Sequence, residues 1–304
     1  MKSLLIHVCL IWLALTPEIL AFIPLFRLGS SSGNIPSNPS KQSASTVKSS
    51  VQAQSPIDIS NYVEKTCSAI TYKLNYNNET TARFENAGHT VKVIMDGPDD
   101  EKPIISGGPL TGEYIMQEVH FHWGKNDSEG SEHTINGNRY PLEAHAVHYN
   151  TKYKNFQVAS NYTDGLSVIG IVFDILPYRN SDFTEYENIM IDPLTSRLKD
   201  IPTNTSKLED TAEELLKWFS PFVAKDHYFT YKGSLTTSPY SEVVTWIVYN
   251  AVIPLSEHQV EVFRKLKNPD GKCTKEHFRH VQPLNGRCVF YCSPNAETRC
   301  DHST

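Results

Sequence analysis

Glu118-Val-His-Phe-His-Trp123 and Leu142-Glu-Ala-His-Ala-Val147 are the two runs of sequence that decide how this chain is interpreted. Both are typical of β-strands. In a strand, residues two apart point to the same face, so the side chains of His120 and His122 project together. A neighbouring strand that brings His145 to that face makes three imidazoles converge. Three neutral nitrogens with a fourth position left open are the arrangement of a catalytic zinc, whereas a structural zinc is closed by four protein ligands.

The histidine pair needs support from its neighbours. Among 12 histidines in 304 residues, a random His-x-His is about an even chance, so the pair alone is weak evidence. Glu143 lies two residues before His145, hence on the same face, and can accept its outer N–H. Gln117 lies three residues before His120 and can do the same if the strand bends. Metal-bound histidines nearly always have such partners, which favours a metal site.

Composition describes an ordinary soluble protein of one large or two modest domains. Hydrophobic residues make up 39% and charged residues 20% of the chain, and the formal net charge is −6. Lysines and arginines are scattered and form no basic stripe, so we expect no nucleic-acid partner.

The N-terminus predicts a secretory signal peptide over residues 1–21. Lys2 provides a basic start, and the apolar run from Leu4 to Leu15 is too short to span a bilayer. The alternative is a short buried helix. Because no later segment reaches membrane-spanning length and the C-terminus has no hydrophobic tail, we expect a secreted, extracellular protein without a membrane anchor.

Glycosylation sequons and cysteines fit secretion. Loss of Cys9 with the signal peptide leaves five cysteines, and this odd number leaves at least one thiol free or available for an intermolecular disulfide. Disulfides suit an oxidising compartment better than a second zinc site near His302 does. The four sequons are at Asn78, Asn126, Asn161 and Asn204, and the five cysteines are Cys67, Cys273, Cys288, Cys292 and Cys300.

Four segments are predicted along the chain. The signal peptide is followed by a polar linker over 22–54, rich in Ser, Asn, Pro and Gln and expected to be disordered. A catalytic domain spans 55–287, and a Cys-containing tail spans 288–304. Within the domain, helices are predicted over Asp210 to Phe219 and after the capping-box sequence Ser256-Glu-His-Gln259. Predicted strands include Thr90 to Met95, Tyr114 to Trp123, Glu143 to Tyr149, Ser167 to Phe173 and Val243 to Val252.

Eight motifs together resemble the α-class carbonic anhydrases, whose three-histidine zinc is the type example of such a site. The resemblance runs from about Gln54 to Arg287. It implies a mostly β fold with peripheral helices around a large, twisted, mainly antiparallel central sheet. It also implies a zinc carbonate hydro-lyase. The motifs are His-Phe-His-Trp123, Gly-Ser-Glu-His133, Glu-Ala-His-Ala-Val-His148, Gly-Ser-Leu-Thr-Thr237, Gln-Ser-Pro-Ile-Asp58, Gly-Gly-Pro-Leu110, Val-Thr-Trp-Ile247 and Gln-Pro-Leu-Asn285.

The resemblance implies a role for each matching residue in the reversible hydration of carbon dioxide to bicarbonate and a proton, by attack of zinc-bound hydroxide. Thr236 would orient that hydroxide and pass its own proton to Glu132. Because a threonine hydroxyl both donates and accepts, bonding to an ionised glutamate leaves only its lone pairs for the hydroxide. His89 matches the proton-shuttle position. The zinc ligands would be His120, His122 and His145, with Gln117 and Glu143 as their outer partners. Substrate-binding residues would be Val147, Val168, Leu235, Thr237, Val244 and Trp246.

The chain departs from the family pattern in places. The usual N-terminal arm, with its Trp-x-Tyr and Gly-Pro, is replaced by the polar linker and is therefore atypical or truncated. Tyr240 stands where secreted relatives have a disulfide cysteine. Ala87 and Lys92 replace amides of the cleft, and His277 replaces an asparagine whose backbone supports the second zinc histidine.

Two alternatives to the enzyme are considered. One is a catalytically weak or silent binding or matrix protein on the same fold. Members of that kind typically lack one or more zinc histidines, whereas this sequence has all three. The other is a zinc hydrolase, which lacks support because no His-Glu-x-x-His motif is present. For the enzyme, the resemblance implies carbon dioxide and bicarbonate as substrates and anions and sulfonamides as inhibitors.

Overall fold

The computed structural model describes residues 52–77, 79–175, 188–203, 206–219 and 227–294. The predicted signal peptide, the sequons Asn78 and Asn204, and Cys300 lie outside these residues. Within them, no helix has both the length and the apolar character needed to cross a membrane.

One large twisted sheet forms most of the structure and confirms the predicted fold class. Twelve of the strands found in the described residues belong to this sheet, and their main order is β11-β4-β5-β7-β9-β10-β13-β12-β14-β2, with β3 and β6 joined to β7. β1 and β8 form a separate parallel pair. The strands are β1 (Asp58–Ile59), β2 (Val63–Thr66), β3 (Ile70–Lys73), β4 (Thr81–Asn86), β5 (Val91–Met95), β6 (Ile104–Gly107), β7 (Tyr114–Trp123), β8 (Thr134–Ile135), β9 (Leu142–Asn150), β10 (Leu166–Ile175), β11 (Lys207–Thr211), β12 (Tyr228–Gly233), β13 (Val244–Leu255) and β14 (Phe290–Ser293).

The sheet is mixed, with an antiparallel majority. β10 and β13 run parallel at its centre, and β14 runs parallel to β2 at one end. β7, β9 and β10 pair antiparallel and are almost entirely buried. Because these strands are covered on both faces, their polar side chains are kept away from water. Their pairing on both sides also holds the backbone that carries His120, His122 and His145.

Short helices lie around the sheet. They are α1 (Phe156–Ala159), α2 (Asp192–Thr195), α3 (Ala212–Leu216) and α4 (Glu257–Arg264). The predicted capping box is present, since the Ser256 hydroxyl accepts from the Gln259 N–H and the Gln259 side chain accepts from the Ser256 N–H. The helix predicted from Asp210 is shorter. Asp210 lies inside β11, which ends at Thr211, and the Thr211 hydroxyl caps α3 instead.

The structure corrects both predicted limits of the domain. β14 pairs with β12 and β2, so the sheet continues beyond residue 287 into the segment predicted as a tail. At the other limit, the Gln52 carbonyl accepts from the Asn285 side chain at 2.8 Å, and Gln54 donates to Glu242 at 2.8 Å. The last residues of the predicted linker are therefore bonded to the domain.

A disulfide joins the two ends of the domain. Cys67 and Cys292 are bonded, with their Cα atoms 5.2 Å apart and a sequence separation of 225 residues. Cys273 and Cys288 are exposed and unpaired among the described residues. Cys292 is thus bonded to a cysteine far away in sequence rather than to one of the cysteines near it at the C-terminus.

Candidate active site

His120, His122 and His145 converge as predicted. Antiparallel pairing of β7 with β9 places His120 directly opposite His145, and His122 lies two residues further along β7 on the same face. Ring centroids are 5.1 Å apart for His120 and His122, 5.3 Å for His120 and His145, and 4.5 Å for His122 and His145. One nitrogen from each ring lies within 4.8 Å of the others. This spacing allows one ion to contact all three.

The outer nitrogen of each ring is held by the protein. His122 Nδ1 lies 3.2 Å from the His277 carbonyl oxygen, and His145 Nε2 lies 2.7 Å from Glu143 Oε1. His120 Nδ1 lies 3.1 Å from Glu118 Oε1. An acceptor at each outer nitrogen places the ring proton there and leaves a lone pair on the inner nitrogen.

The inner nitrogens of the β7 histidines lack partners. His120 Nε2 and His122 Nε2 are buried without a hydrogen-bond partner among the described residues. An orphaned buried nitrogen is costly, so two of them facing a third imidazole fit a metal ion that accepts their lone pairs. The donor set, three neutral imidazoles in a buried pocket, suits zinc.

Burial keeps His122 and His145 neutral. It lowers the pKa of His122 well below its ordinary value and the pKa of His145 to about 4, with the neighbouring histidines adding to the effect at His122. Neutral imidazole is the form that binds metals, so these ligands need not lose a proton near neutral pH.

Glu143 holds several groups of the site in place through four hydrogen-bond contacts. It is fully buried, and its Oε2 accepts from the backbone N–H groups of Glu132 and His133, both at 2.8 Å. Its Oε1 lies 2.7 Å from both His133 Nδ1 and His145 Nε2. Although burial raises its pKa, both histidines hold the pKa of Glu143 well below its usual range. His133, Glu143 and His145 could also be considered a metal group, but their facing atoms already bond one another.

The outer partner of His120 is Glu118, which corrects the prediction of Gln117. A register shift between Met116 and Glu118 marks an irregularity at Gln117 in the pairing of β7 with β9. The same-face rule that identified Glu143 would have identified Glu118, because it lies two residues before His120. The two-residue spacing of Glu118 and His120 therefore already indicated this partner in the sequence.

Glu132 lies beside the histidines with Thr236. Both are buried, and Glu132 Oε1 accepts from the Arg279 backbone N–H at 2.7 Å. Burial holds the pKa of Glu132 well above its usual value, although the Thr236 hydroxyl and Arg279 act to lower it. A divalent cation on the three histidines would also lower this pKa and favour the ionised acceptor. Arg279 was not predicted, since its contact joins residues 147 positions apart.

An apolar wall borders the site. Val147, Val168, Val244 and Trp246 belong to one buried cluster, against which Leu235 packs. The Trp246 ring lies 4.8 Å from the His145 ring. Five of the six predicted substrate residues therefore pack together, with Trp246 against His145, and the sixth, Thr237, follows Thr236 in the loop after β12.

His89 lies at an exposed position near the ligands. Its ring centroid is 4.9 Å from that of His277, which in turn stacks on His122 at 5.0 Å. Burial, Lys92 and His120 lower the pKa of His89. The predicted shuttle and the metal ligands are therefore connected through His277, a contact that sequence analysis did not anticipate.

Comparison with known proteins agrees with this geometry. The model of the eukaryotic-type carbonic anhydrase family matches residues 37–293, so the match begins within the predicted linker. Mouse carbonic anhydrase 7 is 38% identical over 245 residues, covering 78% of this chain and 87% of the relative. Human carbonic anhydrase 7 is 37% identical over the same length and the same shares. The chain belongs to the eukaryotic-type carbonic anhydrase family.

Proposed function

We propose that this protein catalyses the reversible hydration of carbon dioxide to bicarbonate and a proton, with zinc held by His120, His122 and His145. The observation that carries the proposal is the pair of buried, partnerless Nε2 atoms of His120 and His122, facing His145 beside an apolar wall. A bound zinc ion would lower the pKa of a coordinated water to about 7, the established value for carbonic anhydrases.

The ligands are held before any metal arrives. Glu118, the His277 carbonyl and Glu143 each accept from one outer ring nitrogen, which fixes ring orientation. Because Glu143 is itself held by two backbone N–H groups, His145 has little freedom to turn. Little reorganisation is then needed when the ion binds.

Thr236 and Glu132 orient the nucleophilic oxygen. When Glu132 is ionised it accepts the Thr236 proton, so the threonine presents only lone pairs to the nucleophile. The nucleophile must then donate its hydrogen to Thr236 and direct a lone pair away from it. The Arg279 backbone N–H holds Glu132 in place for this role.

The apolar wall binds the substrate. Val147, Val168, Leu235, Val244 and Trp246 offer a non-polar surface beside the ligands, which suits a linear molecule without a net dipole. Thr237 supplies a polar group at the edge of this surface. Carbon dioxide would thus be positioned by weak apolar contacts, and no strong interaction would have to be broken before bicarbonate leaves.

His89 exports the proton. It lies at the exposed end of the histidine column that begins at His122, and an imidazole exchanges protons readily near neutral pH. We expect His89→Ala to lower turnover mainly in weak buffer and added imidazole to restore it. Unchanged turnover in weak buffer would assign proton export to another group.

We further propose that the protein is secreted. The apolar run after Lys2 and the sequons support this, and Asn126 and Asn161 are both exposed. The Cys67–Cys292 disulfide also favours an oxidising compartment. Expression in a secreting cell line should give processed, glycosidase-sensitive protein in the medium. Retention of the unprocessed chain inside the cells would contradict the proposal.

The activity proposal is tested by metal content together with hydration rate. Purified protein should hold one zinc ion per chain and hydrate carbon dioxide, with inhibition by anions and an aromatic sulfonamide. His122→Ala should lose both properties, whereas the control His148→Gln, a buried β9 histidine outside the ligand set, should retain both. A folded, zinc-loaded protein without hydration activity would instead indicate the silent binding protein.

A further inference from the structure

Lys92 reaches the metal centre through Glu118. It lies in β5 directly opposite His120 in β7. Its Nζ is 3.0 Å from Glu118 Oε1 and 2.9 Å from Oε2, so it contacts both carboxylate oxygens. Glu118 Oε1 in turn lies 3.1 Å from His120 Nδ1. The Lys92 ammonium, the Glu118 carboxylate and the His120 imidazole therefore form one continuous hydrogen-bonded network.

The three groups are largely shielded from water. Their side chains are 27%, 18% and 11% exposed for Lys92, Glu118 and His120 respectively. The contact of the Lys92 ammonium with both oxygens of Glu118 is the geometry of an ammonium–carboxylate ion pair. Limited exposure means that solvent screens these charges less than those of an ordinary surface pair.

The partner of a metal-bound histidine affects how strongly the ring donates to the metal. A carboxylate makes the ring more electron-rich than a neutral acceptor does. A cation bonded to both oxygens of that carboxylate counteracts the effect, because it draws negative charge away from the ring. Within the described residues, the other titratable groups that face Lys92, Glu118 and His120 are His89 from the turn before β5 and His277, together with His122 and His145.

We propose that Lys92 is a positioning residue that balances the charge of Glu118 and thereby sets how tightly the site holds its divalent cation. The inference rests on the proposed zinc site. It assigns a specific role to a residue that the family resemblance identifies only as a departure from an amide.

The proposal is tested by a double-mutant cycle read out as zinc release into a chelator at neutral pH. Local charge is zero in the natural protein, −1 in Lys92→Met, +1 in Glu118→Gln and zero in the double variant. Release should be about threefold slower in Lys92→Met, since one nearby cation is removed. It should be about tenfold faster in Glu118→Gln, whose amide still accepts from His120. The double variant should return to within about twofold of the natural protein.

A merely structural role for Lys92 predicts a different pattern. If the pair only keeps His120 aligned, Lys92→Met, Glu118→Gln and the double variant should all release zinc faster. Under the charge-balance proposal, by contrast, Lys92→Arg keeps the positive charge and should release zinc at the natural rate. The visible spectrum of the Co²⁺-loaded variants should retain the natural band pattern, which reports an unchanged ligand set, and melting of the metal-free proteins checks folding.

A matched control pair joins the end of β3 to the residue before β7. Lys73 Nζ contacts Glu113 at 2.8 Å next to β7, but these side chains are 55% and 47% exposed. Lys73→Met should leave zinc release unchanged. Equal release rates across the Lys92 cycle, or faster release in Lys92→Met, would overturn the inference while leaving the proposed function intact. Failure of the natural protein to bind zinc would overturn both.

Discussion

Glu143→Gln is the substitution that most directly tests the organisation of the site. The carboxylate is fully buried and accepts four hydrogen bonds of 2.7–2.8 Å, two from backbone N–H groups and two from histidine rings. Glutamine replaces one acceptor oxygen with an NH₂ group. In one orientation this NH₂ faces the N–H groups of Glu132 and His133, and in the other it faces the rings of His133 and His145. Either way, two buried donors lose their acceptor.

The magnitude follows from these orphaned donors. At about 1–3 kcal/mol for each of the two donors, the free energy of unfolding should fall by about 2–6 kcal/mol. When the new NH₂ group faces His145, two N–H donors oppose each other. His145 can avoid this contact only by moving its proton from Nε2 to Nδ1, the nitrogen that faces the other two histidines. We therefore expect zinc affinity to fall by about 10–100-fold as well.

Urea unfolding of the metal-free protein, followed by tryptophan fluorescence, measures the first effect. Chelator competition measures the second. Glu113→Gln is the control because the Glu113 carboxylate is exposed and pairs with the surface residue Lys73. A loss below about 0.5 kcal/mol, the range of ordinary surface substitutions, together with natural zinc affinity would refute the reasoning.

Three further predictions concern other parts of the molecule. Burial lowers the pKa of His148 to about 3, so its contribution to stability is complete above about pH 6.5 and is lost as the pH falls toward 3, at about 1.4 kcal/mol per pH unit. His148→Gln should flatten the dependence of urea stability on pH over that range, and an unchanged slope would exclude His148 as its source. Val147→Phe should fill the apolar wall and lower kcat/KM for carbon dioxide about tenfold or more at natural zinc content; unchanged kinetics would place the substrate elsewhere. Replacing Cys67 and Cys292 by serine removes a link across 225 residues and should cost about 2–5 kcal/mol, seen as a lower Tm, whereas an equal Tm would show the link to be dispensable.

Local patterns were predicted well where the relevant physics is local. The bounds of β7 agree with the predicted strand from Tyr114 to Trp123, and the alternation along it places His120 and His122 on one face. The capping box at Ser256 was also visible, because its two hydrogen bonds join residues three apart. Strand alternation and helix capping need no knowledge of the remaining chain.

Errors arose where distant segments meet. β14 was assigned to a tail because a short Cys-containing segment shows no strand pattern until β12 and β2 flank it. The contact of Arg279 with Glu132 likewise depends on folding across 147 residues. Gln117 was a different kind of error, since the same-face rule already favoured Glu118. The histidine ligands were predictable, whereas most groups that support them from other segments were not.

Stopped-flow hydration of carbon dioxide by the zinc-loaded protein tests the central claim most directly. The proposal predicts hydration well above the buffer rate, a marked loss on substitution of Thr236 by alanine at natural zinc content, and near-complete loss when the metal is removed. Protein that is folded and holds one zinc ion per chain, yet hydrates carbon dioxide no faster than buffer, would contradict it.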